Sequence, residues 1–379
     1  MNSTHKCEVV PFVMEKHPNA DSLSVVTVFG GYTYCARTED WVGVTRAVYI
    51  PPDSIVKTTR PEFAFLCDGK KDTHRVKAKK LRGIVSFGLM VPAPDDAIIG
   101  DDWAEKLEIE HYDPPSEEDK IWKSKGAVMG IDSCKGPDIL VPKYDLDNLR
   151  RYKDLFIEGE PCYVTEKIHG CNSRYTYING EFYCGSRQEW KSEFQNTRHI
   201  TMDYLLGHGV DEERAKGIVS RLTSGEKKSN TFWQILRQNE SIQNLTKNNP
   251  GLILYGEIYG WIQDLRYGHN QGKFSFAAFD MMEDGHWLEP KEFLGKCVQY
   301  DIPTVHIFNE LVTKSFIVPI KFNFKELCEL SDGPTFMSKS ESPHIREGIV
   351  IQPLKNRWDP TIGRVKLKLV SGTYLEKSK

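Results

Sequence analysis

The sequence lacks several features that would each define a class of protein. Its nine cysteines are odd in number and never spaced C-x-x-C, which argues against a disulfide framework and a zinc site and favours a reducing cytosol. No apolar run approaches the roughly 20 residues of a membrane-spanning helix, and the polar start MNSTHKCEVV has no apolar signal-peptide region. We therefore expect a cytoplasmic protein without a membrane partner, and we expect it to be a monomer.

A large net charge and a P-loop are also missing. The formal net charge is −3, so nucleic-acid binding would have to rely on local basic patches. The pattern G-x-x-x-x-G-K-[ST] does not occur, which excludes a P-loop as the phosphate binder. With 379 residues, 39% hydrophobic and 27% charged, the chain has the composition of a soluble globular protein and the length for two domains.

The chain divides into regions of different pattern. Residues 1–108 contain short β-like runs at 23–29, 47–50 and 84–91, broken by Gly and Pro, and they predict a small β-barrel. Residues 109–136 are polar and lack periodicity, which indicates a linker. Residues 137–379 mix strand and helix patterns, so the predicted fold class is α+β, with much antiparallel sheet in this second domain.

Within the second domain, strand patterns and one long helical pattern alternate. Asn179-Gly180 separates two strand-like runs and is the favoured dipeptide for a two-residue type I′ hairpin. Residues 188–249 look helical, and the run ends at Asn249-Pro250-Gly251. The apolar residues expected on one helical face are Phe232, Ile235, Leu236, Ile242 and Leu245. Further strands are predicted at 163–167, 252–259, 273–281, 348–352 and 364–370.

The stretch TEKIHGCN places Lys167 where a strand pattern gives way to a glycine turn. Alone, K-x-x-G is a weak signal, because Lys123 and Gly126 have the same spacing. Three other strand segments carry polar groups in apolar settings: LILYGEIYG with Glu257, REGIVIQP with Glu347, and RVKLKLV with Lys366 and Lys368. Each alone fits a sheet edge or a solvated face. Together they predict a nucleotide site.

The chemistry of such a site is consistent. Lys366 and Lys368 alternate with apolar residues, so both ammonium groups should project from one face of a strand. Nearby cations would lower the pKa of Lys167 from its usual value of about 10.4 and would neutralise charge on a phosphate under attack. Glu257 and Glu347 could hold Mg²⁺ or Mn²⁺, which bind oxygen ligands and bridge phosphate oxygens.

The chain also resembles a known family. The segments EKIHGCN, CGSR, LYGEIYG, FSFAAFDM, REGIVIQP and VKLKL resemble, in order, the motifs of the covalent nucleotidyltransferases. The K-x-H-G-x-N form is similar to the RNA ligase branch rather than to the K-x-D-G of DNA ligases and capping enzymes. The resemblance covers residue 137 to the end and implies an ATP-grasp-like arrangement of antiparallel sheets with helices.

The resemblance implies a role for each motif residue. Lys167 would attack the α-phosphorus of ATP and form lysyl-AMP; the AMP would pass to an RNA 5′-phosphate, and a 3′-hydroxyl would then displace it. Glu257 would contact the ribose or the metal, Glu347 would serve the metal, and Lys366 and Lys368 would hold the α-phosphate. The other implied nucleotide-binding positions are Glu166, Ile168, His169, Asn172, Arg187, which would contact the ribose or the RNA phosphate, and Phe279, which would stack on adenine.

Two of these positions also suit a purely structural role. His169 departs from the aspartate of the K-x-D-G group, so the metal-ligand role of that aspartate does not carry over directly. It could equally be a turn histidine hydrogen-bonded to the backbone. Asn172 could also be a turn residue.

The first domain carries two further signals. EKHPNADSLSVV is similar to the H-P-N-A-D-x-L segment of tRNA-binding OB domains of aminoacyl-tRNA synthetases, although HPNAD also suits a turn before a strand. GKKDTHRVKAKKLRG has one acid, Asp72, and suits either phosphate contact or a solvated loop. Its expected nucleic-acid-binding residues are Lys70, Lys71, Arg75, Lys77, Lys79, Lys80 and Arg82.

Too few residues follow Lys368 to form a domain, so an extra module is expected before the catalytic domain. An OB-like module in that place resembles one clade of nick-sealing RNA ligases. We therefore expect an RNA ligase that uses ATP and Mg²⁺ or Mn²⁺ and acts on RNA or an RNA-containing nicked duplex. The alternatives are a nucleic-acid-binding protein with an inactive transferase site and a GTP-using guanylyltransferase.

Overall fold

The computed structural model of the chain describes residues 5–69, 71–112, 133–194, 201–207, 210–223, 229–309, 317–341 and 343–377. Within these ranges the protein is built from both helices and mainly antiparallel sheets, which confirms the predicted mixed class. In the same ranges, no helix has the length and apolar character to cross a membrane.

The first region consists of short strands in small sheets. The predicted runs at 23–29 and 47–50 are strands, whereas the run at 84–91 is split into two strands at Gly88, which adopts φ 79°. The strands are β1 (Glu8–Pro11), β2 (Glu15–Lys16), β3 (Leu23–Val28), β4 (Tyr32–Arg37), β5 (Arg46–Ile50), β6 (Ser54–Lys57), β7 (Thr73–Arg75), β8 (Lys79–Leu81), β9 (Ile84–Ser86), β10 (Leu89–Pro92) and β11 (Glu110–His111). The pairing orders are β1-β5-β10, β11-β6-β7, β2-β3-β4 and β8-β9, and within the described ranges they do not close into a ring. The predicted barrel is therefore not confirmed.

Two larger sheets make up the second region. Their strands are β12 (Ser133–Cys134), β13 (Asp147–Asn148), β14 (Pro161–Lys167), β15 (Cys171–Ile178), β16 (Glu181–Ser186), β17 (Trp190–Lys191), β18 (Ile253–Gly260), β19 (Phe274–Glu283), β20 (His286–Trp287), β21 (Ile320–Lys321), β22 (Gly348–Pro353) and β25 (Leu367–Val370), with the separate pair β23 (Trp358–Asp359) and β24 (Gly363–Arg364). One sheet has the order β12-β17-β16-β15-β18-β19-β20 and the other β13-β25-β22-β14-β21.

The hairpin between β15 and β16 forms where the sequence predicts it. Asn179 and Gly180 both adopt positive φ, 51° and 85°, as a type I′ turn requires. The register pairs Ile178 with Glu181 and continues to Ser173 opposite Ser186. This hairpin carries the strand that pairs with β18 and so determines which residues face Glu257.

The long helical prediction at 188–249 is only partly correct. Trp190–Lys191 is a strand that pairs with β16. Residues 195–200, 208–209 and 224–228 of the predicted helical run lie outside the described residues. The predicted apolar face is confirmed, because Ile235, Leu236, Ile242 and Leu245 are buried and Phe232 packs against them. The helices are α1 (Met202–Gly207), α2 (Glu212–Thr223), α3 (Thr231–Gln238), α4 (Glu240–Asn248), α5 (Pro290–Gln299), α6 (Phe324–Ser331) and α7 (Gly372–Lys377).

The predicted strand at 364–370 is interrupted. Gly363–Arg364 pairs with Trp358–Asp359, and the chain then turns at Lys366, whose backbone N–H donates to the carbonyl of Arg364. The alternation is nevertheless confirmed, because Val365, Leu367 and Leu369 are all buried in one cluster.

Helix α7 joins the two regions. Leu375 and Val370 lie in the same apolar cluster as Phe87 and Tyr49 of the first region. The Arg151 guanidinium forms an ion pair with Glu8. Most of the predicted 109–136 linker, residues 113–132, falls outside the described residues, and the boundaries at 108 and 137 stay predictions.

Replacing Leu375 with Ala should loosen this junction. The side chain is 6% exposed, and a buried Leu→Ala change typically costs about 2–5 kcal/mol. The free energy of unfolding in urea should fall by that amount, whereas L140A, at a leucine 81% exposed, should change it by about 0.5 kcal/mol or less. Equal effects of the two variants would show that α7 does not hold the regions together.

Candidate active site

Lys167 is the last residue of β14, and the chain crosses from one large sheet to the other immediately after it. Only Ile168, His169 and Gly170 separate β14 from β15, which lies in the seven-stranded sheet. Buried apolar residues upstream in β14, such as Val164, fix the strand in the core. The lysine is thereby held where groups from both sheets can reach it.

Two glycines allow the strands around Lys167 to approach closely. A Cβ on Gly170 would lie 2.2 Å from the carbonyl oxygen of Ile258 and 3.0 Å from Cγ of Glu257. A Cβ on Gly348, which pairs with Lys167 across β14 and β22, would lie 2.2 Å from the carbonyl oxygen of Leu369. The glycines therefore set the spacing that brings both glutamates to the lysine.

Lys167 is in direct contact with Glu347. Its Nζ lies 2.8 Å from Oε1 of Glu347, and the two side chains are 24% and 13% exposed. Burial disfavours the ammonium, but Glu347 and Glu257 outweigh burial and hold the pKa of Lys167 above its ordinary value. The expectation that neighbouring lysines lower this pKa is wrong for this arrangement, because the carboxylates dominate.

Glu257 completes the group from the other sheet. It lies on β18 opposite Asn172 of β15. Burial, reinforced by Glu347 and opposed by Lys167, raises the pKa of Glu257 to about 8. Two carboxylates around one ammonium are thus close enough to affect each other's ionisation.

The carboxylate pair fits a divalent cation that is completed by other ligands. In the described ranges, no cluster of three His, Cys, Asp or Glu side chains could hold a metal. Mg²⁺, however, is commonly bound by one or two carboxylates together with substrate phosphates and water. Glu257 and Glu347 match that donor set, and a cation there would relieve the repulsion that raises the pKa of Glu257.

Lys366 has a different environment from Lys368. Its Nζ lies 2.8 Å from Oδ2 of Asp280 and donates to the carbonyl of Phe279 at 3.2 Å. Burial, partly offset by Asp280, lowers the pKa of Lys366 to about 8. Burial also lowers the pKa of Lys368; Asp145 opposes this shift, and the charge of Lys167 adds to it.

Asp280 is the centre of a buried polar cluster. Arg364 Nη1 lies 2.7 Å from Asp280 Oδ2, and the Tyr144 hydroxyl donates to the same oxygen at 2.6 Å. Burial opposes ionisation of this carboxyl, but Arg364 and Lys366 outweigh it and hold its pKa below the ordinary value. Lys366 is therefore held by an internal counter-ion.

His169 bonds to two tyrosines. Its backbone N–H donates to the Tyr267 hydroxyl at 2.7 Å, and its Nδ1 lies 3.0 Å from the Tyr374 hydroxyl. Oε2 of Glu347 is 3.8 Å from the same nitrogen. The side chain thus lies near Glu347, and its hydrogen bond goes to a side chain, in contrast to the alternative of a turn histidine bonded to the backbone.

The other predicted nucleotide contacts surround this centre. Arg187 Nη1 lies 3.8 Å from Asp145 Oδ1, and its charge acts on Lys167. Phe279 is half-buried, with its ring centroid 4.8 Å from that of Tyr144. Asn172 has a buried Oδ1 that accepts no hydrogen bond from any described residue.

Glu166 and Ile168 point away from solvent. Glu166 is 1% exposed and accepts hydrogen bonds from the Thr335 hydroxyl and from the backbone N–H of Phe336. Ile168 is buried in a cluster with Tyr259 and Tyr267. Both side chains therefore lie in the protein interior, one on each side of Lys167 in the sequence.

The basic segment contacts helix α7 through β8. Lys70 lies outside the described residues, and Arg75 is bound by Asp53 at 2.7 Å. The HPNAD turn has a structural role, since Asn19 Nδ2 donates to the carbonyl of Arg82 and His17 Nε2 lies 3.3 Å from that of Leu81. The exposed cations of the segment are Lys71, Lys77, Lys79, Lys80 and Arg82.

Sequence reasoning missed Asp280 and Tyr374. Asp280 interrupts the apolar run FSFAAFDM in the way Glu257 interrupts its own strand, so the same signal could have found it. Tyr374 gives no such signal, because its role depends on where α7 packs.

Comparison with known proteins gives one family. A sequence profile described as RNA ligase matches residues 160–370, more than half of the chain. No curated protein sequence matches.

Solved structures of an RNA ligase from Naegleria gruberi have the same fold. The structure with PPi has a TM-score of 0.70 at 19% identity and covers 99% of both chains. A mutant with ATP and Mn has a TM-score of 0.69 at 20% identity, and a mutant with AMP and Mn 0.68 at 20%, each covering 98% of both chains.

Replacing Asp280 with Asn should be strongly destabilising. It leaves Lys366 and Arg364, whose side chains are 5% and 9% exposed, without their counter-ion, and breaking a buried ion pair typically costs about 3–5 kcal/mol. Because the folded-state pKa of Asp280 is lowered, its contribution is present above the unfolded-state pKa and is lost as pH falls through the folded-state value. D284N, at an exposed aspartate, is the matched control. Similar urea midpoints for the two variants at neutral pH would contradict the assignment.

Proposed function

The chain belongs to the RNA ligase family, and we propose that it is an ATP-dependent RNA ligase that seals a 3′-hydroxyl to a 5′-phosphate at nicks in RNA-containing duplexes. The observation that carries the proposal is the contact of Lys167 with Glu347 at 2.8 Å, with Glu257 acting on the same ammonium. A half-buried amine between two carboxylates suits a nucleophile that must be positioned and then deprotonated.

In the first step, Lys167 is the nucleophile. Its Nζ proton is shared with Oε1 of Glu347, which gives the proton an acceptor as the amine attacks. The new bond joins Nζ to the α-phosphorus of ATP, the bond from that phosphorus to the bridging oxygen breaks, and pyrophosphate leaves. Lys368, whose charge interacts with that of Lys167, neutralises charge that develops on the transferred phosphate.

Two steps on RNA follow. An oxygen of the RNA 5′-phosphate attacks the same phosphorus, the phosphorus–nitrogen bond breaks, and Lys167 is released with AMP now on the RNA end. A 3′-hydroxyl then attacks the phosphorus of the 5′-phosphate. The bond from that phosphorus to the oxygen that bridges it to AMP breaks, and AMP leaves with this bridging oxygen. Both steps need charged groups around the phosphates, and Lys368 and Arg187 supply them from this chain.

The remaining residues orient the nucleotide. Phe279, half-buried against Tyr144, offers a ring for adenine to stack on. The unpartnered Oδ1 of Asn172 is a buried acceptor that a bound nucleotide can satisfy. Glu257 and Glu347 would hold Mg²⁺ or Mn²⁺, which supplies neutralising charge at the phosphates when bound, and the N. gruberi ligase was solved with ATP and Mn.

The first region, in this proposal, is an OB-like module that binds the duplex. Its exposed cations Lys77, Lys79 and Lys80 lie on or beside β8, and β8 contacts helix α7. Helix α7 in turn brings Tyr374 to His169, so the basic surface lies next to the elements that hold the site.

The test of the chemistry is covalent labelling. The protein is incubated with α-³²P-ATP or α-³²P-GTP and Mn²⁺, and the products are separated on a denaturing gel. We expect label from ATP in the parent, none in K167A, and undiminished label in K325A, at an exposed lysine. Addition of a nicked RNA-containing duplex should discharge the label.

Other outcomes have defined meanings. Label from GTP alone would replace the proposal with capping-type chemistry. Absence of label in a folded parent protein that carries no AMP beforehand would favour a nucleic-acid-binding protein with an inactive transferase site. Label that persists in K167A would contradict Lys167 as the nucleophile.

The double variant K79A/K80A tests the duplex surface. If both ammonium groups contact phosphates, the slope of log affinity against log salt should become shallower by about 1.8. Binding of the nicked duplex should weaken while lysyl-AMP formation stays unchanged. The control is K321A/K325A, at two exposed lysines of the second region. Equal salt slopes for the two double variants would exclude β8 from the RNA-binding surface.

A further inference from the structure

Arg174 is a buried cation on β15 that forms no ion pair within the described part of the chain. We propose that Arg174 is a substrate-binding residue whose guanidinium receives a phosphate group, either from the β- and γ-phosphates of ATP or from the 5′-phosphate of the RNA. The proposal rests on the proposed ligase function, because that function brings both kinds of phosphate to this site.

The register of the seven-stranded sheet places Arg174 on the face that carries Glu257. Asn172 lies opposite Glu257 on β18. Arg174 lies two residues further along β15, opposite Tyr255. Because successive side chains of a strand point to opposite faces, residues two apart share a face and lie roughly 7 Å from each other. Arg174 is therefore in the next row of side chains beyond the one that faces Lys167.

Consecutive side chains on this face of β15 carry buried polar atoms without a partner. Asn172 Oδ1, Arg174 Nε and Thr176 Oγ1 form no hydrogen bond with any described residue. Arg174 is 4% exposed and Thr176 is fully buried, whereas Asn172, nearer to the reacting groups, is half-buried. Buried polar groups in folded proteins are almost always hydrogen-bonded. Three in succession therefore indicate a surface whose hydrogen bonds are completed by a bound molecule.

The charge of Arg174 distinguishes it from another arginine on the same sheet. Arg364 stacks on Trp287, with Cζ 4.9 Å from the ring centroid, and pairs with Asp280 at 2.7 Å. Arg174 also stacks on a tryptophan, but no carboxylate of the described residues pairs with it. Because a charge taken out of water without a partner costs free energy, an anion that binds at Arg174 is favoured.

Trp190 and Gly185 hold the guanidinium in a position that suits a ligand. Cζ of Arg174 lies 4.3 Å from the centroid of the Trp190 ring, and Trp190 is only partly buried. Gly185 lies opposite Arg174 on β16, and a Cβ there would be 3.0 Å from Nε of the arginine. The glycine therefore lets the side chain cross β16 to the tryptophan. Stacking covers one face of the guanidinium, and its edge keeps the fork of N–H donors that matches phosphate.

The proposed reaction supplies two kinds of phosphate near this row. ATP carries β- and γ-phosphates, which leave as pyrophosphate, and the RNA carries the 5′-phosphate that accepts AMP. Either anion would provide the counter-ion that Arg174 lacks, and the Thr176 hydroxyl is a further donor on the same face. The two sources can be separated because AMP has neither of these phosphates.

The test is ligand binding to R174M, which keeps an unbranched side chain beside Trp190 and removes the charge. Affinities are measured by calorimetry with Mg²⁺ for AMP, for pyrophosphate and for α,β-methylene-ATP, which cannot transfer AMP. A nicked RNA-containing duplex is measured with a 5′-phosphate and with a 5′-hydroxyl at the nick. The control is R237M, at an exposed arginine that stacks on Trp233 and pairs with Glu193.

Each source of phosphate predicts its own result. If Arg174 binds ATP phosphates, R174M should bind α,β-methylene-ATP and pyrophosphate roughly tenfold to a hundredfold more weakly, the effect of hydrogen bonds to a charged group, and AMP as the parent does. If it binds RNA, the preference for the 5′-phosphate over the 5′-hydroxyl should fall by the same factor, with lysyl-AMP formation unchanged. R174K, which keeps the charge without the planar fork, should fall between the parent and R174M.

A folded R174M that binds all five ligands as the parent does would overturn the proposal and leave Arg174 as a packing partner of Trp190. If R174M does not fold, parent protein labelled with ¹⁵N-arginine is titrated with pyrophosphate and with the two duplexes. The Nε–H signal of Arg174, identified by its loss in R174K, should then shift with pyrophosphate or with the 5′-phosphate duplex. A signal that shifts with neither would equally overturn the proposal.

These measurements do not require turnover. A parent that binds phosphate at Arg174 but forms no lysyl-AMP, although folded and free of AMP beforehand, would overturn the ligase function alone. A parent that forms lysyl-AMP while R174M keeps every affinity would overturn only the role of Arg174.

Discussion

The contact between Lys167 and Glu347 is the constraint on which the rest of the site depends. It links the end of β14 to the start of β22, and it keeps a half-buried ammonium charged where burial alone would favour the neutral amine. Lys167 is therefore held in position as an ammonium ion. In the proposed reaction a proton of this ammonium must leave before the amine attacks, and Oε1 of Glu347, 2.8 Å from Nζ, is positioned to accept it. The two carboxylates also supply the oxygen ligands that a divalent cation with substrate phosphates prefers.

The two large sheets meet at this contact, because only residues 168–170 connect β14 of one sheet to β15 of the other. Gly170 lets β18 pass beside the crossing, so Glu257 acts on the lysine from the opposite sheet. Asp280 is the counter-ion of Lys366 inside the core, whereas the charges of Lys368 and Arg187 interact with that of Lys167. The site thus contains buried charges of opposite sign that stabilise one another.

Sequence patterns predicted the parts of the fold that depend on local chemistry. The Asn179-Gly180 hairpin and the alternation around Lys366 were predictable because turn type and strand period follow directly from residue identity. The pKa of Lys167 was predicted with the wrong sign, because the prediction counted nearby lysines and left out the opposing effect of Glu347 and Glu257. Tyr374 was not predictable at all, since its contact with His169 depends on how α7 packs against the first region.

The most direct test of the account is to locate the covalent intermediate. The parent protein is incubated with ATP and Mn²⁺, digested, and its peptides are sequenced by tandem mass spectrometry. We predict one adenylyl group, attached to Nζ of Lys167 in the peptide that contains EKIHGCN. An adenylyl group on another lysine, or none in a folded protein that carried no AMP beforehand, would contradict it.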